Sequence, residues 1–288
     1  MPRSAPRAVV ATARAASSGW VAHLELEFGR EAARTVLSAR RHTGPLRVQK
    51  ALYPEGPDVC QAIVVHPPGG IVGGDSLAID VEVGAGAHAQ LTTPGAAKWY
   101  RSAGPVARAE TRLHLAAGAV LEWLPQEAML FDGARASIVL RIDIAPGARF
   151  VGWDVTCLGR TASGERFTSG ALRQSLELHR ADMPLYCERA AIHGGSRALQ
   201  SGAMLDGAPV FGTMLAAGLP IPDSVLAACR AAVAPSGEGT VTRLPEVLVG
   251  RYRGDSAHAA RTYFANLWRL LRPVLAGRDA VMPRIFST

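Results

Sequence analysis

Apolar residues along much of this chain recur at every second position. Leu24, Leu26 and Phe28 begin the pattern, which resumes at Thr35 and Leu37 after a short loop. This spacing predicts half-buried strands, and the short loop predicts a hairpin. Three later segments share one grammar: LAIDVEVGAGAHAQLTT, TRLHLAAGAVLEWLPQE and IVLRIDIAPGARFVGWD. In each, alternating apolar residues lead to a Gly-Ala turn and then to a second short apolar stretch. Those residues are Leu77, Ile79, Val81 and Val83, then Leu113 and Leu115, then Leu140, Ile142 and Ile144. The turns begin at Gly86, Gly118 and Gly147, 32 and then 29 residues apart. That period predicts stacked hairpins, as in a β-solenoid or layered β-helix, each unit burying its apolar face on the next. Glycine at each turn supplies the positive φ of a tight hairpin. An ordinary β-sandwich is the competing arrangement.

Helical spacing comes late. Asp223 is a fitting N-cap for DSVLAACRAAVA, which stops at Pro235. A second helix is predicted from about Ser256 to Arg272, with Ala260, Phe264, Leu267 and Leu271 on one face and Arg261, Arg269 and Arg272 elsewhere. Pro273 and Gly277 end it, and its apolar face needs cover from the chain's own sheet or from a partner. The expected fold is therefore mostly β, a stacked β-hairpin or β-helical architecture with two α-helices near the C-terminus. Residues 1–18 read as a disordered leader. Residues 19–288 read as a single domain, with a β stack to about 220 and a helix-containing part over 221–288.

Charge and cysteines narrow the setting. The net charge of +7 is uneven: Arg3, Arg7 and Arg14 precede Gly19, and eight arginines from Arg243 onward oppose only Glu246, Asp255 and Asp279. The body is nearly neutral and no nucleic-acid module signature is present, which argues against a nucleic-acid partner. No run approaches the roughly 20 apolar residues of a membrane span, and no secretory h-region is present. Cys60, Cys157, Cys187 and Cys229 are far apart and lack zinc-site spacing. Four mostly buried, reduced thiols fit a cytoplasmic protein.

Catalytic templates are missing: there is no P-loop, GxGxxG, GxSxG or HExxH. The richest string is HPPGGIVGGD, residues 66–75, in which four glycines and two prolines specify turns that deliver a carboxylate, Asp75. Asp75 is either a cap on those turns or part of a site. Thr93, Lys98 and Tyr100 in TTPGAAKWYR, and Glu127 in LEWLPQE, are candidate binding positions. Asp154, Glu165 and Glu188 stand in otherwise apolar stretches. Surface ion pairing with Arg166 beside Glu165 and Arg189 beside Glu188 is one account of them. An acid-lined path that a divalent cation uses weakly and leaves again is the other. No HxH or HxxxH pairing encodes a tight transition-metal site. A hydrolase or lyase site around His66, Asp75 and Glu127 is the alternative function.

These strings, in this order, resemble the UreD family of urease accessory proteins, called UreH in some systems. The matching strings are GPLRVQ (44–49), YPEG (53–56), HPPGGIVGGD, TTPGAAK with YR, LEWLPQE, GW (152–153), GR (159–160), GE (164–165), RYRGDS (251–256), LW, LRP and PRI near the end. Phe286 stands where the family commonly has Trp. The resemblance implies a β-helical fold with a pair of helices and a role without a reaction. Such proteins join UreF and the GTPase UreG, dock on apo-urease, and assist nickel delivery and carboxylation of the active-site lysine. It further implies that Asp75, Asp154 and Glu188 border an internal path for transient nickel, with no tightly bound cofactor. It leaves Thr93, Lys98, Tyr100, Glu127 and Glu165 as motif positions without an assigned role.

Overall fold

The computed structural model describes residues 19–287, so the leader expected over 1–18 lies outside the described residues. The strands up to the first helix are β1 (Val21–Glu31), β2 (Arg34–Thr43), β3 (Arg47–Val48), β4 (Val59–Val65), β5 (Ser76–Val83), β6 (His88–Thr92), β7 (Ala97–Trp99), β8 (Ala107–Leu115), β9 (Val120–Leu124), β10 (Ala128–Leu130), β11 (Arg135–Ile144), β12 (Arg149–Leu158), β13 (Ala171–Arg180), β14 (Met183–His193) and β15 (Val210–Ala217). Then come α1 (Asp223–Ala231), β16 (Glu238–Arg243), β17 (Val247–Gly254) and α2 (Ala257–Ala276).

One sheet has the order β14-β13-β11-β8-β5-β1-β2, and the other runs β16-β17-β15-β12-β9-β6-β4-β3, with β7 and β10 attached through β12. The strands on either side of each Gly-Ala turn do not pair with each other. β5 lies parallel to β1 and β8 in the first sheet, while β6 lies parallel to β4 and β9 in the second. The repeat is therefore a coil of a β-helix, and its glycines make corners between sheets rather than hairpins. Gly86, Gly118 and Gly147 all have φ between +67° and +77°. The corners stack, with Ala87, Ala119 and Ala148 each donating back three residues at 3.0 Å. The first two strands do form the predicted antiparallel hairpin.

In-register rungs build the core. Leu26, Val81, Leu113, Ile142 and Leu178 are successive Cα partners across five strands, and each is essentially fully buried between the sheets. The outer face of the first sheet is polar, which keeps the alternation clean. The second sheet is covered on both faces, so β6, β9 and most of β12 are buried throughout, as near-continuous apolar strands require.

The cover is α2. Its face of Ala260, Phe264, Leu267 and Leu271 packs on β12, β15 and β17 with Trp153, Val155 and Met214. The chain's own sheet thus uses that face, which removes it as a partner contact. Ser256 caps α2 by accepting from the Ala259 N–H at 3.2 Å. Pro273 does not stop the helix: it sits inside the last turn, and Gly277 in the left-handed region ends it. Asp223 is the first helical residue of α1, with Pro222 in the cap position and no side-chain cap. Arg272, read as lying off the packed face, is fully buried.

Candidate functional site

A cavity of about 400 Å³ opens between the two sheets, walled by Leu77, Ile79, Trp99, Trp123, Ile138 and Leu140 among others. Its rim is made from the glycine-rich strings. Ile71 donates its N–H to the Lys98 carbonyl at 2.7 Å and Tyr100 returns one to Ile71 at 2.9 Å. Ala97 donates to the Glu127 carbonyl at 2.9 Å, and the Gln126 N–H reaches Thr93 Oγ1 at 2.9 Å. The strings at 66–75, 92–101 and 121–127 thus form one layered rim. Gly70 has a structural reason: a Cβ there would stand 2.0 Å from the Tyr100 ring.

The predicted residues divide. Asp75 is buried and caps the turn, accepting from Val72 N–H at 2.9 Å and Trp20 N–H at 2.8 Å. It touches the cavity only electrostatically: burial lowers the pKa of His66, which lines the cavity, and the charge of Asp75 opposes that shift. Thr93 and Lys98 line the rim, Lys98 exposed. Tyr100 packs edge-on against Phe131 at 4.9 Å. Glu127 points to the helix side, 3.2 Å from Arg261, without the alignment of a hydrogen bond. Glu165 accepts from Arg160 Nη2 at 2.6 Å and from the Asp132 N–H at 2.8 Å, and Arg160 holds its carboxyl below the usual range. Its partner is therefore Arg160, not the adjacent Arg166.

Asp154 and Glu188 do come together. Asp154 lines the large cavity and also a second, narrow space of about 10 Å³ shared with Gln174, Glu188 and Thr213. Gln174 Nε2 donates to Asp154 Oδ2. On the far side, Glu188 accepts from Thr213 Oγ1 at 3.2 Å and from the Tyr186 hydroxyl, and it forms an ion pair with Arg251 Nη2 at 3.0 Å. Arg189 takes no part: strand neighbours face opposite ways, and it pairs outward with Glu177 at 3.0 Å. Burial pushes the Asp154 carboxyl up to about 6, against the Gln174 hydrogen bond, and the charge of Glu188 adds to the rise. Among the described residues, no cation pairs with Asp154 and no cluster of three or more His, Cys, Asp or Glu side chains could hold a metal ion.

The raised pKa carries a stability consequence. An acid whose folded pKa exceeds its unfolded value binds its proton more tightly when folded, so stability falls as pH rises from 3.8 to about 6, and the full penalty stands above that. Asp154→Asn should therefore stabilise the chain by up to about 2 kcal/mol at pH 8. The gain should vanish near pH 4, as followed by thermal unfolding. An equal effect at both pH values would mean that burial does not raise the Asp154 pKa.

Sequence reasoning missed Gln174, Tyr186, Thr213 and Arg251 around these acids, and it missed a buried charge cluster behind the cavity. Glu122 is fully buried on β9 beside the cavity-facing Trp123. It accepts from Trp268 Nε1 at 2.6 Å and from Arg272 Nε and Nη2 at 3.0 Å, and it contacts His88 Nε2 at 2.7 Å. Arg272 also reaches both oxygens of Glu55, at 2.6 and 2.9 Å, and the Asp279 carbonyl. A carboxylate inside the apolar run VLEWL was the signal that could have exposed it, since a buried acid needs a cation.

Comparison with known proteins identifies the family. The family model described as UreD urease accessory protein matches residues 21–287. Relatives named urease accessory protein UreD include one from Azoarcus sp. (strain BH72), 52% identical over 95% of this chain and 96% of its own length. One from Pseudomonas aeruginosa is 53% identical over 93% and 95%. One from Methylobacillus flagellatus is 47% identical over 96% and 98%. On this evidence the chain belongs to the UreD family of urease accessory proteins.

Proposed function

We propose that this chain is a cytoplasmic scaffold of urease maturation that joins UreF and UreG on apo-urease and passes nickel through its interior. Members of its family are named as accessory proteins, not as catalysts, and this chain has a role in urease maturation without being an enzyme. The observation that carries the finer reading is the shared position of Asp154, which borders both the 400 Å³ cavity and the narrow space leading to Glu188. A cavity of that size has room for about a dozen waters at about 30 Å³ each, so a divalent cation enters with its hydration shell. Isolated carboxylates hold such an ion weakly, whereas His and Cys clusters retain transition metals. Asp75 acts on this route from the rim, through His66. The alternative hydrolase or lyase site gains nothing from the geometry: the Asp75 carboxylate is engaged by backbone N–H groups and Glu127 by Arg261.

The thiols fit a reducing compartment, with Cys60, Cys157 and Cys229 buried and all four free. Among the described residues no helix is long and apolar enough to cross a membrane. The test is an omission experiment. Apo-urease is mixed with UreF, UreG, GTP, bicarbonate and nickel, with or without this chain. Nickel-loaded, active urease should form only in its presence, and size-exclusion chromatography should show one assembly containing the chain and UreF. Equal activation without it would refute the scaffold role.

A further inference from the structure

The conduit reading leaves one feature unexplained: the outer acid is already occupied. Arg251, in the RYRGDS string, places Nη2 3.0 Å from Glu188 Oε2 and 2.8 Å from the Tyr186 hydroxyl. Its side chain is 52% exposed, against 26% for Glu188. Asp154, by contrast, accepts from the neutral Gln174, shares the narrow space with Glu188 and has no paired cation among the described residues.

We propose that Arg251 is a displaceable counter-ion that occupies Glu188 between cations and clears each one after it passes. The proposal rests on the conduit reading and adds the residue that sets how tightly the path holds its cargo. Three observations carry it. A half-exposed Arg–carboxylate pair is worth at most about 1 kcal/mol, so the guanidinium swings into solvent at little cost. Glu188 stays in place when it leaves, because Tyr186 and Thr213 still donate to it. Burial and the neighbouring Glu188 raise the Tyr186 pKa, which keeps that hydroxyl protonated as a donor.

Charge balance gives the device its direction. With Arg251 away, ionised Asp154 and Glu188 present two negative charges, which match a divalent cation. With Arg251 back on Glu188 the pair presents one, and the returning guanidinium repels the bound ion. Arg251 is thus a positioning residue that tunes affinity through Glu188 without touching the cargo.

The experiment is equilibrium dialysis of the full chain against Ni²⁺ alone, at pH 7.5, with melting temperatures recorded for every variant. Arg251→Gln removes the charge and should tighten Ni²⁺ binding about ten-fold, the effect of deleting one charge about 5 Å from a divalent ion in water-like surroundings. Arg251→Met should do the same and replaces the Gln variant if that variant does not fold. Arg251→Lys, which keeps the charge, should stay near the parent value. In a Glu188→Gln background the Arg251→Gln change should have no effect. If Glu188→Gln weakens binding but neither neutral Arg251 variant tightens it, the counter-ion proposal is overturned and the conduit stands. If Glu188→Gln binds Ni²⁺ as well as the parent, the conduit reading falls and the proposal with it.

Discussion

Arg272→Ala is expected to destabilise the protein by about 3–5 kcal/mol, the usual result of leaving a buried carboxylate without its cation. Glu122 would keep only His88 and Trp268, and Glu55 would lose both of its contacts with the guanidinium. Typical domains have only about 5–15 kcal/mol of stability, so the variant should be partly unfolded at physiological temperature. Glu122→Ala should cost a similar amount. The double variant should cost clearly less than the two together, because each single change already breaks the same network. The pH dependence has a definite sign. Burial raises the Glu122 pKa, but His88 and Arg272 outweigh it and hold the group below its ordinary value. Its contribution is therefore present above pH 4.5 and is lost as pH falls through the depressed folded value. Urea titrations of the three variants at pH 7 and pH 4 measure both effects. A loss below about 1 kcal/mol for Arg272→Ala would show that the cluster does not clamp α2 to the sheet.

The clamp matters for the site because Glu122 and Trp123 are neighbours on β9 and face opposite ways. Trp123 forms part of the cavity wall while Glu122 is tied to α2. The helix therefore fixes the back of the same strand whose front shapes the cavity.

Strand alternation and the Gly-Ala period were enough to place Leu77, Val81, Leu113 and Ile142 on one buried face and to predict a stacked repeat, read as hairpins. They could not separate a hairpin from a corner. Both need a left-handed glycine, and only the pairing partner, one coil away, distinguishes them. The face of α2 was legible from Phe264 and Leu267, but Arg272 was not, because its partner Glu122 lies 150 positions earlier in the chain. For Glu188, the decisive signal was present and pointed away from Arg189: adjacent strand residues face opposite sides, so its partner had to come from elsewhere. Asp154 and Glu188 were identifiable as acids in apolar strands. Their convergence with Gln174 and Arg251 depends on how the two sheets are stacked, which no local spacing encodes.

The largest functional effect is expected at the two acids that share the narrow space. Loss of one carboxylate from the path of a divalent cation removes about ten-fold or more in local occupancy. Asp154→Ala and Glu188→Ala should each lower the nickel content of the matured urease accordingly, and the double variant further. Asp154→Ala relieves a buried charge and should not lower the melting temperature. Glu188→Ala leaves the Tyr186 and Thr213 hydroxyls without their acceptor and should cost about 1 kcal/mol. The fold and binding to UreF should be preserved in both. Asp75→Ala is the contrasting case. It strips the acceptor from the Val72 and Trp20 N–H groups, so it should cost about 1–3 kcal/mol of stability. The most direct measurement is nickel per urease active site after activation with the Asp154→Ala/Glu188→Ala double variant, assayed with melting temperature and UreF binding on the same preparation. The account predicts an intact complex that delivers at most about a tenth of the parent's nickel, whereas full nickel loading by a folded, UreF-bound double variant would contradict it.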